Sequence, residues 1–347
     1  MSNLELIPNW LIATYVFLFG LCMGSFLNVV ILRGLSGEDF VMQRSKCPKC
    51  GNQLKWYMNI PLLSYIFLRG RCAFCKTKIS IQYPIIELLT ALLFTYVYFT
   101  YGFSIKSLFL VIIIATLIVL AMTDILETVI LTNHAIFLIL TGIIYCALNL
   151  SEIGLKESLI SAFAGFLIFE IISRLGYLFA GMRIFGEGDS YIASGIGAVF
   201  GFKGLIVVII LSFMLQSIFA LPLITLNSFK DGKKKLGISY ILVSISIVYI
   251  ILTNTLNLTS NNYYTVSVFI MAGILLYCLK NVISEIHSKK VLFEKNEEKR
   301  PENEDEEFEK GKNIFLLMPF GPALIVSSII CIFYLSEIKT LIKHFLY

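Results

Sequence analysis

Long apolar runs alternate with short polar stretches along the chain, and the first run begins near Trp10, after nine residues that carry no basic side chain. Runs long enough to cross a hydrocarbon core of about 30 Å fall near 10–32, 85–101, 106–123, 133–150, 158–181, 204–226, 239–257, 265–283 and 314–335. A shorter, glycine-containing run at 190–201 predicts either a tightly packed helix or a re-entrant segment. The pattern predicts an all-α polytopic membrane protein with nine or ten transmembrane helices and a cytoplasmic, zinc-knuckle-like loop after the first of them.

Composition agrees with the pattern. Of 347 residues, 57% are hydrophobic and only 15% charged, with a mean hydropathy of +0.83; a soluble chain of this length cannot hide so much apolar surface. The net charge of +5 is unevenly spread. Arg33, Arg44, Lys46, Lys49, Lys55, Arg69, Arg71, Lys76 and Lys78 crowd into one loop, which places it in the cytoplasm and the amino terminus outside. Alternating from there, the turn near Asp124, the stretch 182–189, the basic "KDGKKK" loop and the charged stretch 285–312 fall on the cytoplasmic side, provided that 190–201 crosses. The first apolar run has no basic n-region and is long enough to span, unlike a cleaved signal peptide. Segment 294–312 is rich in mixed charge and reads as a solvated loop. Phosphate-loop and nucleic-acid patterns are absent.

Four of the eight cysteines, Cys22, Cys146, Cys278 and Cys331, stand singly in apolar runs, where a small hydrophobe is the default reading. The other four form two C-x-x-C pairs, Cys47 with Cys50 and Cys72 with Cys75. Four thiolates so spaced can close a tetrahedral shell around Zn²⁺ and pin a loop with too little core to fold alone. The alternative is two disulfides or unpaired thiols; a reducing cytoplasm argues against the disulfides. A closed shell has no open position, so such a zinc is structural.

Acids are scarce in the apolar half, yet Asp124 and Asp189 each sit at the cytoplasmic end of an expected span. Ionisable groups at such depths are functional candidates by default. Brought face to face, two carboxylates share one proton: one activates water, while the other polarises a peptide carbonyl and then protonates the leaving amine. Gly186 and Gly188 beside Asp189 would let an extended substrate backbone approach. The plainer readings are a helix N-cap for Asp189 and a solvated helix end for Asp124. Glu127 and Glu187 are the rival acids. His134, His287 and His344 have no matching nucleophile motif.

"GSFLNVVILR" (24–33), the cysteine block 47–89, the GxGD tetrad 186–189 and "MPFGPALI" (318–325) together resemble the type IV prepilin peptidase family of GxGD intramembrane aspartic peptidases. The resemblance covers residues 20–226 and resumes at 314–335, and it divides the chain accordingly. Residues 1–33 are the first transmembrane helix, 34–84 the cysteine loop, 85–229 the peptidase core, 230–313 extra spans with a charged loop, and 314–347 the last helix and tail.

It implies cleavage of a basic leader, after glycine, from type IV prepilins or type II secretion pseudopilins at the cytoplasmic face of the bacterial inner membrane. It also implies N-methylation of the new amino terminus with S-adenosylmethionine. Asp124 and Asp189 match the catalytic pair by position, and the cysteine region matches the part linked to methyl transfer. Asn28, Arg69, Arg71 and Glu87 are candidates for the methyl-donor region. For Asn28, helix packing is an equal reading, and for Arg69 and Arg71 contact with anionic lipid headgroups is the plainer one. The chain departs from the family at Leu131 and Thr132, where Pro-Asp is usual, at Tyr191, where lysine is usual, and at Met58, where an acid is common. Two other functions fit the composition: a transporter relaying protons through the two carboxylates, and a catalytically silent assembly factor on the same scaffold.

Overall fold

The computed structural model describes residues 8–37, 45–47, 49–180, 185–230, 238–239, 241–242 and 320–346. Two compact units divide the chain. One is drawn from Met1–Phe169, Glu187–Ile209 and Gly321–Leu335, the other from Glu170–Gly186, Ile210–Phe320 and Ser336–Tyr347. Asp124, Asp189, Gly321 and the four clustered cysteines all belong to the first.

The helices are α1 (Asn9–Ser36), α2 (Leu63–Phe67), α3 (Gln82–Tyr101), α4 (Ile105–Glu127), α5 (Thr132–Ala147), α6 (Leu155–Ala180), α7 (Glu187–Lys230) and α8 (Gly321–Leu346). Among the described residues, five helices are long and apolar enough to cross a membrane: α1, α3, α4, most of α6, and Glu187–Ile218 of α7. Thr132–Ala147 and Gly321–Leu335 are shorter apolar helices. The helical, membrane-spanning reading therefore holds. Apart from Ser239, Ile241 and Leu242, the spans expected at 239–257 and 265–283 lie outside the described residues, as does the charged loop at 294–312.

Small residues decide how α1 meets α3. A Cβ at Gly20 would stand 2.6 Å from the Ala91 Cα, and one at Gly24 would stand 2.6 Å from the Glu87 Cα. One turn further on, the Asn28 side-chain amide donates to the Tyr83 carbonyl at 3.2 Å. Gly20, Gly24 and Asn28 thus run down α1 at four-residue spacing against Ala91, Glu87 and Tyr83 in reverse order. This antiparallel seam needs small residues because lipid offers helices no hydrophobic drive to associate, only close van der Waals contact.

The run expected at 190–201 forms one continuous element with the run expected at 204–226, broken only at Gly201 (φ 70°, ψ 179°). That conformation is open to glycine and strained for other residues. Just before the break, the Ala198 carbonyl accepts from the Ser158 hydroxyl at 2.7 Å and the Cys146 thiol at 3.3 Å. Cys146 is therefore more than a small hydrophobe: it supplies a buried donor to a backbone carbonyl.

Candidate active site and metal centre

The cysteine loop is built from two similar knuckles. In the first, the Cys47 amide donates to the Asn52 carbonyl and the Gly51 amide to the Cys47 carbonyl; in the second, Cys72 donates to Thr77 and Lys76 to Cys72. The residue after the second cysteine of each pair is left-handed, Gly51 at φ 69° and Lys76 at φ 58°. Single antiparallel bridges, Lys46 with Gln53 and Arg71 with Lys78, close the two turns.

These turns aim all four thiols inward, with their Sγ atoms within 4.8 Å of one another. Cys47 Sγ and Cys75 Sγ lie 3.8 Å apart. A tetrahedral zinc with sulfur at about 2.3 Å sets its sulfurs about 3.8 Å apart, so the cluster fits the ion. The Thr77 hydroxyl, 3.4 Å from the Cys75 sulfur, acts with the Thr77 amide to lower that thiol to about 6. The Cys50 and Lys49 amides lower Cys47 as well. Such donors prepare sulfur to act as thiolate, the form that binds metal.

The methyl-donor candidates separate into two places. Asn28 and Glu87 are buried in the α1–α3 seam. Asn28 donates to the Gly24 and Tyr83 carbonyls, while its Oδ1 is buried with no hydrogen-bond partner. Glu87 Oε2 accepts from the Leu62 amide at 2.8 Å, which ties the middle of the cysteine loop to α3. That tie accompanies a left-handed φ of 58° at Leu62, a backbone position uncommon outside glycine. Arg69 and Arg71 are exposed on the loop itself.

Asp124 lies in the last turn of α4, which ends where Thr128 turns left-handed and its amide donates to the Asp124 carbonyl at 2.9 Å. Asp189 lies in the first turn of α7, inside the helix rather than at its cap. Each aspartate is only 5% exposed, which removes the solvated reading for Asp124, and the cap reading for Asp189 also fails. The rival acids Glu127 and Glu187 are exposed.

The two aspartates meet at Gly321, the first residue of α8. A Cβ placed there would run into Asp124 Oδ2 and lie 3.3 Å from Asp189 Oδ1. Oxygens from two helices thus come within 3.3 Å of one point beside a bare glycine. The Gly321 amide also hydrogen-bonds to Asp124. Asp124 Oδ2 is buried without a hydrogen-bond partner, as is the neighbouring Ser190 hydroxyl. Such a place suits a group that brings its own donors, a water or a substrate amide.

Sequence reasoning passed over Gly321. Its only signal is its place in "MPFGPALI", one of the stretches that carry the family resemblance. At Gly188, the space that a Cβ would need is filled by Ile130 from the α4–α5 connection. At Tyr191, where the resemblance leads one to expect lysine, the ring packs against Phe166 with centroids 5.5 Å apart.

Residues 18–101 match the model of the bacterial peptidase A24 N-terminal domain, and residues 111–221 match that of the type IV leader peptidase family. A prepilin leader peptidase/N-methyltransferase of Aeromonas salmonicida (strain A449) is 32% identical over 249 residues, which cover 65% of this chain and 85% of that protein. The chain belongs to the type IV leader peptidase family. Similar proteins of the same description occur in Neisseria gonorrhoeae, 32% identical over 64% of this chain and 85% of the relative, and in Myxococcus xanthus (strain DK1622), 36% identical over 59% of this chain. The matched part spans 61% of the Myxococcus protein's length, less than two thirds. No solved structure matches the chain significantly. The two matched segments carry between them both aspartates, all four clustered cysteines, Asn28 and Glu87; Gly321 lies outside both.

Proposed function

We propose that this chain is a membrane-embedded aspartic endopeptidase that removes the basic leader of type IV prepilins or pseudopilins, and that it also N-methylates the new amino terminus. The observation that carries the peptidase reading is the convergence of the buried Asp124 and Asp189 on Gly321. One carboxylate takes a proton from water and directs the oxygen at the scissile carbonyl. Its protonated partner polarises that carbonyl, then gives its proton to the leaving amine. The bare backbone of Gly321 keeps side-chain atoms out of the space between the two carboxyls.

Both aspartates sit at helix ends, Asp124 closing α4 and Asp189 opening α7. A cleavage site at one membrane face suits that depth better than a proton relay, which needs acids near the midplane. Asp124 and Asp189 are both present and brought together, which speaks against a silent scaffold.

The finer parts of the reading rest on the residues. The hydrophobic runs support nine or ten crossings, the distribution of Lys and Arg supports an amino terminus outside with the aspartates at the cytoplasmic face, and the family supports the bacterial inner membrane. The Cys47, Cys50, Cys72 and Cys75 thiols suit a structural Zn²⁺ that holds the loop closed. S-adenosylmethionine, when bound, supplies a methyl group to the free amine. Asn28 Oδ1, buried without a hydrogen-bond partner, and the buried Glu87 carboxyl are the groups that would orient it, with Arg69 and Arg71 on the neighbouring loop.

The test is cleavage in liposomes of a pilin-like substrate whose basic leader ends in Gly-Phe, read by mass spectrometry for wild type, Asp124→Asn and Asp189→Asn. Cleavage by wild type and by neither variant supports the dyad, and an added methyl mass supports the second activity. Equal cleavage by the variants would sink the peptidase assignment.

A further inference from the structure

The cysteine loop turns its apolar side chains outward. On α2, Leu63, Ile66 and Phe67 share one face by their i, i+3, i+4 spacing, and they are 52%, 66% and 81% exposed. Just before α2, Trp56 is 80% exposed with the Tyr57 ring edge-on to it. The opposite side of the same segment is fastened to the protein. Tyr65 donates to the Ile79 carbonyl at 3.4 Å and fills the space beside Gly70, while Leu62 is held by Glu87. The outward face is therefore the unfastened side of a braced segment.

Charge and attachment say what covers it. Between residues 45 and 81 there is no Asp or Glu, and every Lys and Arg there is exposed. The loop leaves α1 and enters α3, two helices apolar and long enough to span, so it is tethered to the bilayer at both ends. At the entry to α3, Ile81 and Ile85 are already 66% and 53% exposed, which carries apolar surface from the loop into the span. Exposed aromatic and aliphatic side chains among unopposed cations are the composition of a surface that lies in a membrane interface. Trp and Tyr seat at headgroup depth, aliphatics enter the acyl boundary, and Lys and Arg meet lipid phosphates.

We propose that the cysteine loop docks on an anionic lipid leaflet, seating Trp56 at headgroup depth and Ile66 and Phe67 at the acyl boundary, with Lys55, Arg69 and Arg71 against the phosphates. The metal cluster then serves as a rigid brace for a membrane-seated platform.

Trp56 is its own reporter, because the chain has one other tryptophan, Trp10. The full chain carrying Trp10→Phe would be placed in nanodiscs of phosphatidylcholine brominated near the top of its acyl chains, with or without phosphatidylglycerol. Emission is compared with that in unbrominated discs. The expected result is blue-shifted Trp56 emission that loses most of its intensity to bromine when phosphatidylglycerol is present, and less without it. A second reporter, Phe67→Trp in a Trp10→Phe, Trp56→Phe background, should behave alike. Emission that bromine leaves unchanged, while soluble iodide quenches it in both lipids, would overturn the proposal. So would equal bromine quenching with and without the anionic lipid. Shielding from iodide that develops only as two copies are forced into one disc would assign the face to a second copy instead.

Discussion

The cysteine loop and the aspartate pair solve opposite problems within one compact unit. The loop buries little apolar matter, since Trp56, Leu63, Ile66 and Phe67 all face outward; four sulfurs within 4.8 Å of one another give it a centre. The aspartates have ample apolar surroundings and must keep carboxyls in them; helix ends and a bare glycine give them room. Local turns and a cysteine cluster organise the first region, and tertiary packing organises the second. Damage should therefore stay local in the loop, whereas at the dyad it should reach the chemistry directly.

The sharpest way to break the contrast is at the carboxyls themselves. Asp124→Asn and Asp189→Asn should each lower cleavage by roughly 10²–10⁴-fold, the usual worth of a positioned acid or base. The amount of inserted protein should be unchanged in quantitative membrane blots.

Next comes Gly321→Ala. Its methyl group would press on Asp124 Oδ2 and crowd Asp189 Oδ1, and displacement of reacting groups by about 1 Å costs on the order of 10²-fold. The expected outcome is a large fall in kcat with a thermal melt in detergent close to that of wild type. A melt that collapses along with activity would show Gly321 to be a packing residue only.

Replacing Cys47 and Cys72 by serine should release the metal, read by elemental mass spectrometry, and weaken methylation before cleavage. Equal loss of both activities would erase the distinction between the two regions.

Gly24→Val tests the seam that joins them, since its side chain must displace the Glu87 backbone 2.6 Å away. Overpacking of this kind costs about 1–3 kcal/mol, so the melt should fall measurably and methylation with it. Smallest is Ser158→Ala. It removes one of the two donors to the Ala198 carbonyl and should cost about 1 kcal/mol, visible in the melt and not in cleavage.

Much of this was legible along the chain. Hydrophobic runs predicted helices because a segment in lipid must satisfy its own backbone, and α1, α3, α4, α5 and α6 fall where those runs lie. The two C-x-x-C pairs announced a cluster, because ligands carried on tight turns are set by local spacing. The departures at Leu131, Thr132 and Tyr191 were visible too, although only the packing of Tyr191 on Phe166 shows what one of them does.

Other features depend on residues far apart in sequence. Nothing in "MTDILE" distinguishes Asp124 from Glu127, yet one is buried and the other exposed, because Gly321 packs against Asp124 while Glu127 ends the helix. Gly321 carries no chemistry in isolation. It matters because α8 begins where α4 ends and α7 starts. The donors that Ser158 and Cys146 give to Ala198 come from two other helices, 40 and 52 residues away in sequence. By itself the sequence determined the helices, the cysteine cluster and the family, all of which depend on local spacing and composition. The tertiary structure decided which acids face each other, since burial and convergence are properties of packed helices and not of any one segment.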